Sequence, residues 1–289
     1  MDGGARPPHA VGGVGAGPEA RMSTNRPTRG AGRPSGAARR QFGPIASAYA
    51  TSAVHAAGPD LRRLVVAARL DGSQRVLDLG CGAGHTALAV ARRAAEVVAV
   101  DVTPEMLAVA RRLARECQIT NVTYRRADAA RLPFAAASFD IVTSRYSAHH
   151  YADPARALAE VARVLRPGGT FLLADTVAPE APVLDTFMNA VELLRDYSHV
   201  RDCRVSEWQQ LFAASGLTPE VLHCSRLVLD GPSWVARSQT PESMSKTIQV
   251  LFAEAPGLVR RSFTLKSGAD WGWTIPIALI SGTRHPEEQ

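Results

Sequence analysis

The sequence predicts an α/β protein built on a parallel sheet with helices on both faces and a helical cap. Three observations carry that expectation. Between residues 75 and 175 short apolar runs alternate with amphipathic segments, the order that makes parallel strands joined by crossover helices. The strand-like runs are apolar throughout, as in strands buried on both faces. A glycine-rich turn follows the first run directly, where such sheets hold ligands.

Residues 1–40 are mostly Gly, Pro, Ala and Arg with almost no large apolar side chains, so a disordered basic tail is expected there. The segment holds seven arginines against two acids and accounts for +5 of the chain's formal net charge of +6. The remainder is close to neutral, which argues against a nucleic-acid groove on the folded part. Met22 lies within this segment and is a candidate start. Order is expected from about residue 41, and apolar residues make up 46% of the chain, enough for a buried core.

Leu61, Leu64, Val65 and Ala68 fall at helical spacing behind Pro59 and Asp60. "RVLDLG" (75–80) reads as the first strand, "GHTALAVARRAAE" (84–96) as a helix and "VVAVD" (97–101) as the second strand. "TPEMLAVARRLAREC" (103–117) is a helix with Thr103 as N-cap and Pro104 in its first turn. "VTYRRAD" (122–128) and "FDIVTS" (139–144) are the third and fourth strands. "DPARALAEVARVLRPGG" (153–169) is a helix capped by Asp153 and stopped at Pro167, Gly168 and Gly169, ahead of the fifth strand "TFLLAD" (170–175). Beyond it, 180–215 reads as helical, 219–229 as a strand, 233–262 as helical cap and 273–284 as a terminal strand.

Cys81, Cys117, Cys203 and Cys224 show no C-x-x-C pairing and no metal-ligand spacing, so they read as reduced thiols of a cytosolic protein. No apolar run approaches the ~18–20 residues of a membrane span. A soluble cytoplasmic chain is expected.

The glycine turn narrows the ligand. A dinucleotide fingerprint needs a small residue where His85 stands, and a phosphate-binding P-loop needs a Gly-Lys-Ser/Thr that is missing. Here the pattern is D-x-G-x-G-x-G, with Asp78 ahead of Gly80, Gly82 and Gly84. A carboxylate aimed into a pyrophosphate cradle would repel it, whereas it suits a cationic ligand with a nucleoside end. Asp101 closes the second strand, where an acid accepts hydrogen bonds from ribose hydroxyls. Asp128, after the third strand, is placed for an adenine amino group.

Taken together, "VLDLGCGAGHTA", "VVAVDVTPEMLAVAR" and "RADAARLPFAAASFDIVTSRYSAHHYADPARALAEVARVLRPGGTFLLAD" resemble the class I S-adenosylmethionine-dependent methyltransferases. The branch they look like is that of the ubiquinone/menaquinone-biosynthesis C-methyltransferases and their small-molecule relatives. The resemblance covers about residues 40–230. It implies a Rossmann-like, seven-stranded sheet whose last strand is antiparallel, with S-adenosylmethionine over the ends of strands one to four and a small-molecule acceptor. It implies a methyltransferase domain over 41–289, with a cofactor-binding core at about 60–176 and cap and substrate-side elements at about 41–59 and 180–270.

Carried over residue by residue, the resemblance sets Asp78, Gly80, Cys81, Gly82 and Gly84 against the methionyl part of the cofactor. It sets Asp101 on the ribose, Val102 and Met106 near adenine, Asp128 and Ala129 on adenine, and Arg145 beside the sulfonium. Tyr49 resembles an N-terminal tyrosine that closes over the cofactor. Two other functions stay open: an NAD-type oxidoreductase, against which His85 and Asp78 stand, and a non-catalytic cofactor-binding regulator.

Methyl transfer needs a base only when the acceptor is a hydroxyl, an acidic carbon or a protonated amine. The loop "RYSAHHYADP" brings Tyr146, His149, His150 and Tyr151 to the carboxyl edge of the sheet. His149 or His150 is the expected base, since histidine titrates near neutrality. His55, His199 and Trp208 are further candidates for the acceptor pocket, although an apolar helical face would bury Trp208 and a nearby helix end would be capped by His199. No metal site is expected, because the His149–His150 pair lacks carboxylate partners in the sequence. The acceptor itself stays open, since carbon, oxygen and nitrogen methylation share this fold.

Overall fold

The computed structural model describes residues 1–4, 36–50 and 56–285. Met1–Ala31 makes a unit of its own, of which residues 1–4 are described and carry no regular structure; every element below belongs to Gly32–Gln289. Two short helices, α1 (Gly36–Phe42) and α2 (Ala46–Ala50), come before α3 (Pro59–Ala67). Strand β1 (Arg75–Leu79), α4 (His85–Ala91), β2 (Glu96–Asp101), α5 (Pro104–Glu116) and β3 (Val122–Arg126) follow. The chain then returns through β4 (Phe139–Arg145), α6 (Pro154–Val164) and β5 (Leu165–Thr176). Helices α7 (Pro182–Arg195) and α8 (Val205–Ala214) lead to β6 (Leu217–Asp230). Three cap helices, α9 (Gly231–Arg237), α10 (Glu242–Glu254) and α11 (Gly257–Phe263), lead to β7 (Gly272–Arg284).

Among the described residues these seven strands form one sheet in the order β3-β2-β1-β4-β5-β7-β6. β1 to β5 pair in parallel, and β7 runs antiparallel to both of its neighbours, β5 and β6, as the resemblance implies. The strand order reverses between β1 and β4. That switch opens a crevice beyond the carboxyl ends of the two strands, the place where such sheets bind ligands.

Both faces are covered because the strands are apolar on both. Leu64, Val90 and Leu107, from α3, α4 and α5, pack on Val76, Val97 and Leu172. On the other face Leu158, Val161, Trp208 and Phe212, from α6 and α8, pack on Leu77, Val98 and Phe171. A third cluster makes the cap, with Met188, Phe252 and Phe263 packed around Trp234, Trp271 and Trp273. No helix among the described residues is long and apolar enough to cross a membrane.

Several boundaries differ from the sequence reading. Helix α1 begins at Gly36, inside the segment expected to be tail; Met22 and His55 lie outside the described residues. Helix α4 stops at Ala91, because Ala95 and Glu96 both donate their amides to the Gln74 carbonyl and are drawn into strand geometry. Helix α6 starts where expected, with Asp153 Oδ1 accepting from the Arg156 amide at 2.9 Å. It ends at Val164 rather than at the Pro-Gly-Gly, since fully buried Leu165 already pairs with fully buried Phe139 as the first residue of β5. Thr103 occupies the N-cap of α5, but its side chain makes no cap hydrogen bond.

Candidate active site

The glycine turn after β1 is shaped by what surrounds it. Gly80 sits at φ +66°, and a Cβ there would stand 2.5 Å from Ser147 Oγ. The Cys81 amide donates to the Val100 carbonyl at 2.9 Å. The Gly82 amide donates to Asp101 Oδ2 and the Thr103 amide to Asp101 Oδ1, each at 2.8 Å. One carboxylate thereby joins the turn after β1 to the turn after β2. Gly84 sits at φ +90°, with the position of its missing Cβ 2.9 Å from Ala110 Cβ. Its small size lets α4 approach α5.

A cavity of about 380 Å³ opens over these strand ends, within the range of small-ligand pockets. Of the residues expected to bind cofactor, Gly80, Cys81, Gly82, Asp101, Val102 and Met106 line it from β1, β2 and α5. Asp128, Ala129, Arg145 and Tyr49 complete the wall. Space is open where a Gly82 Cβ would stand, so the turn offers its backbone to whatever fills the cavity.

Two expected residues do not reach the wall. Gly84 is a packing glycine, as described. Asp78 is 1% exposed and lies beneath the turn, with Oδ1 accepting from Thr143 Oγ1 at 2.8 Å and Oδ2 lacking a hydrogen-bond partner. Burial lifts its pKa to about 7, against the opposing pull of Thr143, the Ala87 amide and Arg145. The carboxylates that line the cavity therefore include Asp101 and Asp128 but not Asp78, and the expectation that Asp78 fronts the ligand is corrected: its side chain is enclosed beneath the turn.

The cavity is roofed by α1 and α2 through Ala38, Phe42 and Tyr49. His85 Nε2 donates to the Tyr49 carbonyl at 2.9 Å, and Gln41 Nε2 to the Ser238 carbonyl at 2.8 Å. Phe42 meets His150 edge-on, with ring centroids 5.0 Å apart. On the opposite wall Arg145 is ion-paired with Asp60 of α3 through Nε and Oδ2, and its guanidinium lies 4.7 Å over the Tyr146 ring. Tyr146 holds φ +49°, a strained setting for a bulky residue and one that recurs at functional sites.

The neighbouring histidines divide sharply. His149 Nδ1 lies 2.7 Å from Asp175 Oδ1. Burial draws its pKa down, but the Asp175 charge and hydrogen bond, with Asp202 and Glu192 behind, outweigh that and hold it at about 9. Its side chain does not line the cavity over the strand ends. His150 does, and burial together with the charge on His149 pushes it down to about 4. Its Nδ1 lies 3.0 Å from the Ser198 carbonyl. A carbonyl only accepts, so Nδ1 carries the proton and Nε2 keeps its lone pair. The expectation that either His149 or His150 is the base meets one charged histidine and one neutral one.

His199 is buried and bonded through Nε2 to Asn189 Oδ1 at 3.0 Å, so it does not cap a helix end. Trp208 belongs to the sheet core. The carboxylate partner that the sequence did not show for His149 comes from the end of β5. Among the described residues no group of His, Cys, Asp and Glu has the arrangement of a metal site.

The sequence assigned no place in the site to Phe42, His85, Ser147, Asp60 or Asp175. Asp175 had a signal: it closes "TFLLAD" as Asp101 closes "VVAVD". Asp60 and Ser147 act through partners 85 and 68 positions away, and no local pattern marks such pairs.

Residues 77–173 match a family described as a methyltransferase domain. The chain is 40% identical over 246 residues to the uncharacterized methyltransferase YcgJ of Bacillus subtilis (strain 168), covering 84% of this chain and 97% of that one. The crystal structure of YcgJ superposes with a TM-score of 0.76 over 78% of this chain and 98% of its own. The uncharacterized protein YafE of Escherichia coli (strain K12) is 40% identical over 201 residues, 70% of this chain and 96% of that one. A demethylmenaquinone methyltransferase of Thermus thermophilus is 42% identical over 127 residues, 42% of this chain and 57% of that one.

Proposed function

Since the chain belongs to the class I methyltransferases, we propose that it moves the methyl group of S-adenosylmethionine onto a small-molecule acceptor, releasing S-adenosylhomocysteine. One observation supports this most directly: the cavity over β1, β2 and β4 shares Phe42, Tyr49, Tyr146 and His150 with a second, smaller cavity under the cap. A methyl donor in the first and an acceptor in the second would meet at that shared wall.

The residues fit the cofactor. Asp101 keeps lone pairs beyond its two amide bonds for ribose hydroxyls. Val102 and Met106 give an apolar surface for adenine beside Asp128 and Ala129, and the Gly80–Gly82 turn leaves room for the amino-acid end. When bound, the sulfonium supplies an electrophilic methyl group. The protein's task is to hold donor and acceptor in line, and such alignment is worth ~7–11 kcal/mol of barrier. Arg145, neutralised by Asp60, stands at the wall without adding net positive charge next to a cationic donor. For an acceptor that must lose a proton, His150 receives it at Nε2. His149 positions the loop and does not act as the base. A cytoplasmic setting suits the four free thiols.

The test is calorimetry with S-adenosylhomocysteine, followed by radiolabelled methyl transfer to quinone precursors, phenols and amines. Micromolar binding and label in any acceptor support the proposal. Failure to bind S-adenosylhomocysteine refutes it.

A further inference from the structure

The smaller cavity, of about 80 Å³, lies behind the shared wall and is closed by Glu192, Arg195 and Asp196 at the end of α7, by Trp234 and Arg237 of α9, and by β6 and β7. Its charged groups differ in what already holds them. Arg195 lies 3.4 Å from Glu192, donates to the Trp234 carbonyl at 3.3 Å and stacks on the Trp234 ring at 5.1 Å. Asp196 Oδ1 accepts from the Ser198 amide at 2.8 Å and from the Ser198 hydroxyl at 2.7 Å. The charge on His149 faces Asp175.

Arg237 is the exception. Among the described residues no carboxylate lies within ion-pair distance of it, and its Nε is buried without a hydrogen-bond partner. The Tyr49 side chain bonds to it, and burial pulls its pKa below the usual arginine range. The Glu192 charge acts on it only from beyond ion-pair distance, and a guanidinium partly stripped of water, with no carboxylate in contact among the described residues, is costly unless an anion completes the arrangement. Its planar fork matches a carboxylate in two parallel hydrogen bonds. Phe42, Tyr49 and Trp234 around it give flat apolar surface.

Resting on the methyltransferase reading above, we propose that the methyl acceptor carries a carboxylate, which Arg237 receives in the smaller cavity, leaving the atom to be methylated at the shared wall beside His150. The charge thus selects acidic acceptors and sets which end enters first.

The test compares benzoate with its neutral isostere benzamide, by calorimetry, with and without saturating S-adenosylhomocysteine. Benzoate is expected to bind at least tenfold tighter than benzamide. Arg237→Gln should erase that preference while S-adenosylhomocysteine affinity stays within twofold, and Arg237→Lys should restore part of it. Equal or undetectable affinity for benzoate and benzamide in the unsubstituted protein overturns the proposal, whatever the variants do. So does a benzoate preference that survives Arg237→Gln. If S-adenosylhomocysteine fails to bind, the methyltransferase reading falls, and the benzoate-to-benzamide ratio still decides the role of Arg237.

Discussion

His149 Nδ1 and Asp175 Oδ1 stand 2.7 Å apart, joining the loop after β4 to the end of β5. Asp175 Oδ2 also accepts from the Ala148 amide at 2.7 Å and from the Ser147 amide at 3.2 Å. A single buried carboxylate therefore holds three consecutive residues of the loop and keeps His149 charged. Burial, with that charge added to it, keeps the neighbouring His150 neutral.

Stability should depend on this pair in two directions. The folded pKa of His149, about 9, lies above its ordinary 6.5. Its contribution is fully present below pH 6.5 and is lost as pH rises through 9. The difference corresponds to roughly 3 kcal/mol. Asp175 is held below the usual carboxylate range, since the His149 charge and hydrogen bonds outweigh its burial. Its contribution is present above the ordinary carboxylate pKa and fades as pH falls. Urea denaturation should show the protein ahead of His149→Gln at pH 6, with the gap shrinking by pH 9.5. A gap independent of pH would count against a charged His149.

His150 and His149 should separate in kinetics. His150→Ala should lower methyl transfer about 10²-fold or more for an acceptor that loses a proton, with S-adenosylhomocysteine affinity little changed. His149→Gln should act chiefly through the loop, raising the acceptor KM more than it lowers kcat. Equal kcat losses in both variants would return the two residues to equivalent roles.

Asp101→Ala removes the acceptor of two backbone amides and, in the proposed complex, of the ribose hydroxyls. Charge-assisted hydrogen bonds are worth ~1.5–3 kcal/mol each. Calorimetry should record at least a tenfold loss of cofactor affinity. Unchanged affinity would mean that the ribose lies elsewhere.

Gly84→Ala and Gly82→Ala should fail differently. At Gly84 the new methyl meets Ala110 Cβ and the backbone is left-handed, so about 1–3 kcal/mol of stability should go. At Gly82, where φ is +50°, the left-handed cost remains but the methyl meets nothing within 4 Å and enters the cavity wall, so the midpoint should fall less than in Gly84→Ala while cofactor affinity falls more. Matching midpoints for Gly84→Ala and the parent would refute the packing role.

The parallel half of the fold was legible because strand and helix periods change cleanly between residues 75 and 175, and because Pro and Asp caps stand where α5 and α6 begin. The wall around Gly80, Asp101 and Asp128 was legible for the same reason: each residue stands at or just after a strand end. Depth was not. Asp78 and Asp101 look alike in sequence, yet one is enclosed by its strand neighbours and the other stands at the crevice. The side proposed for the acceptor was equally hidden. Arg237 meets Tyr49 across 188 positions of chain, and neither residue lies in a recurring pattern.

The placement of β7 between β5 and β6 has a consequence for how the molecule is made. On a growing chain β6 leaves the ribosome before β7, the one strand it hydrogen-bonds to among the described residues, and it must wait while three cap helices are synthesised. The donor-side wall, complete by the loop after β4 and α6, is already on hand by then. Leu229 and Ile275, on opposite sides of the last strand pairing, are brought together only when β7 slides into the gap. The smaller cavity, proposed for the acceptor, is thus the final part to assemble, after the strand-end cavity proposed for the donor is in place.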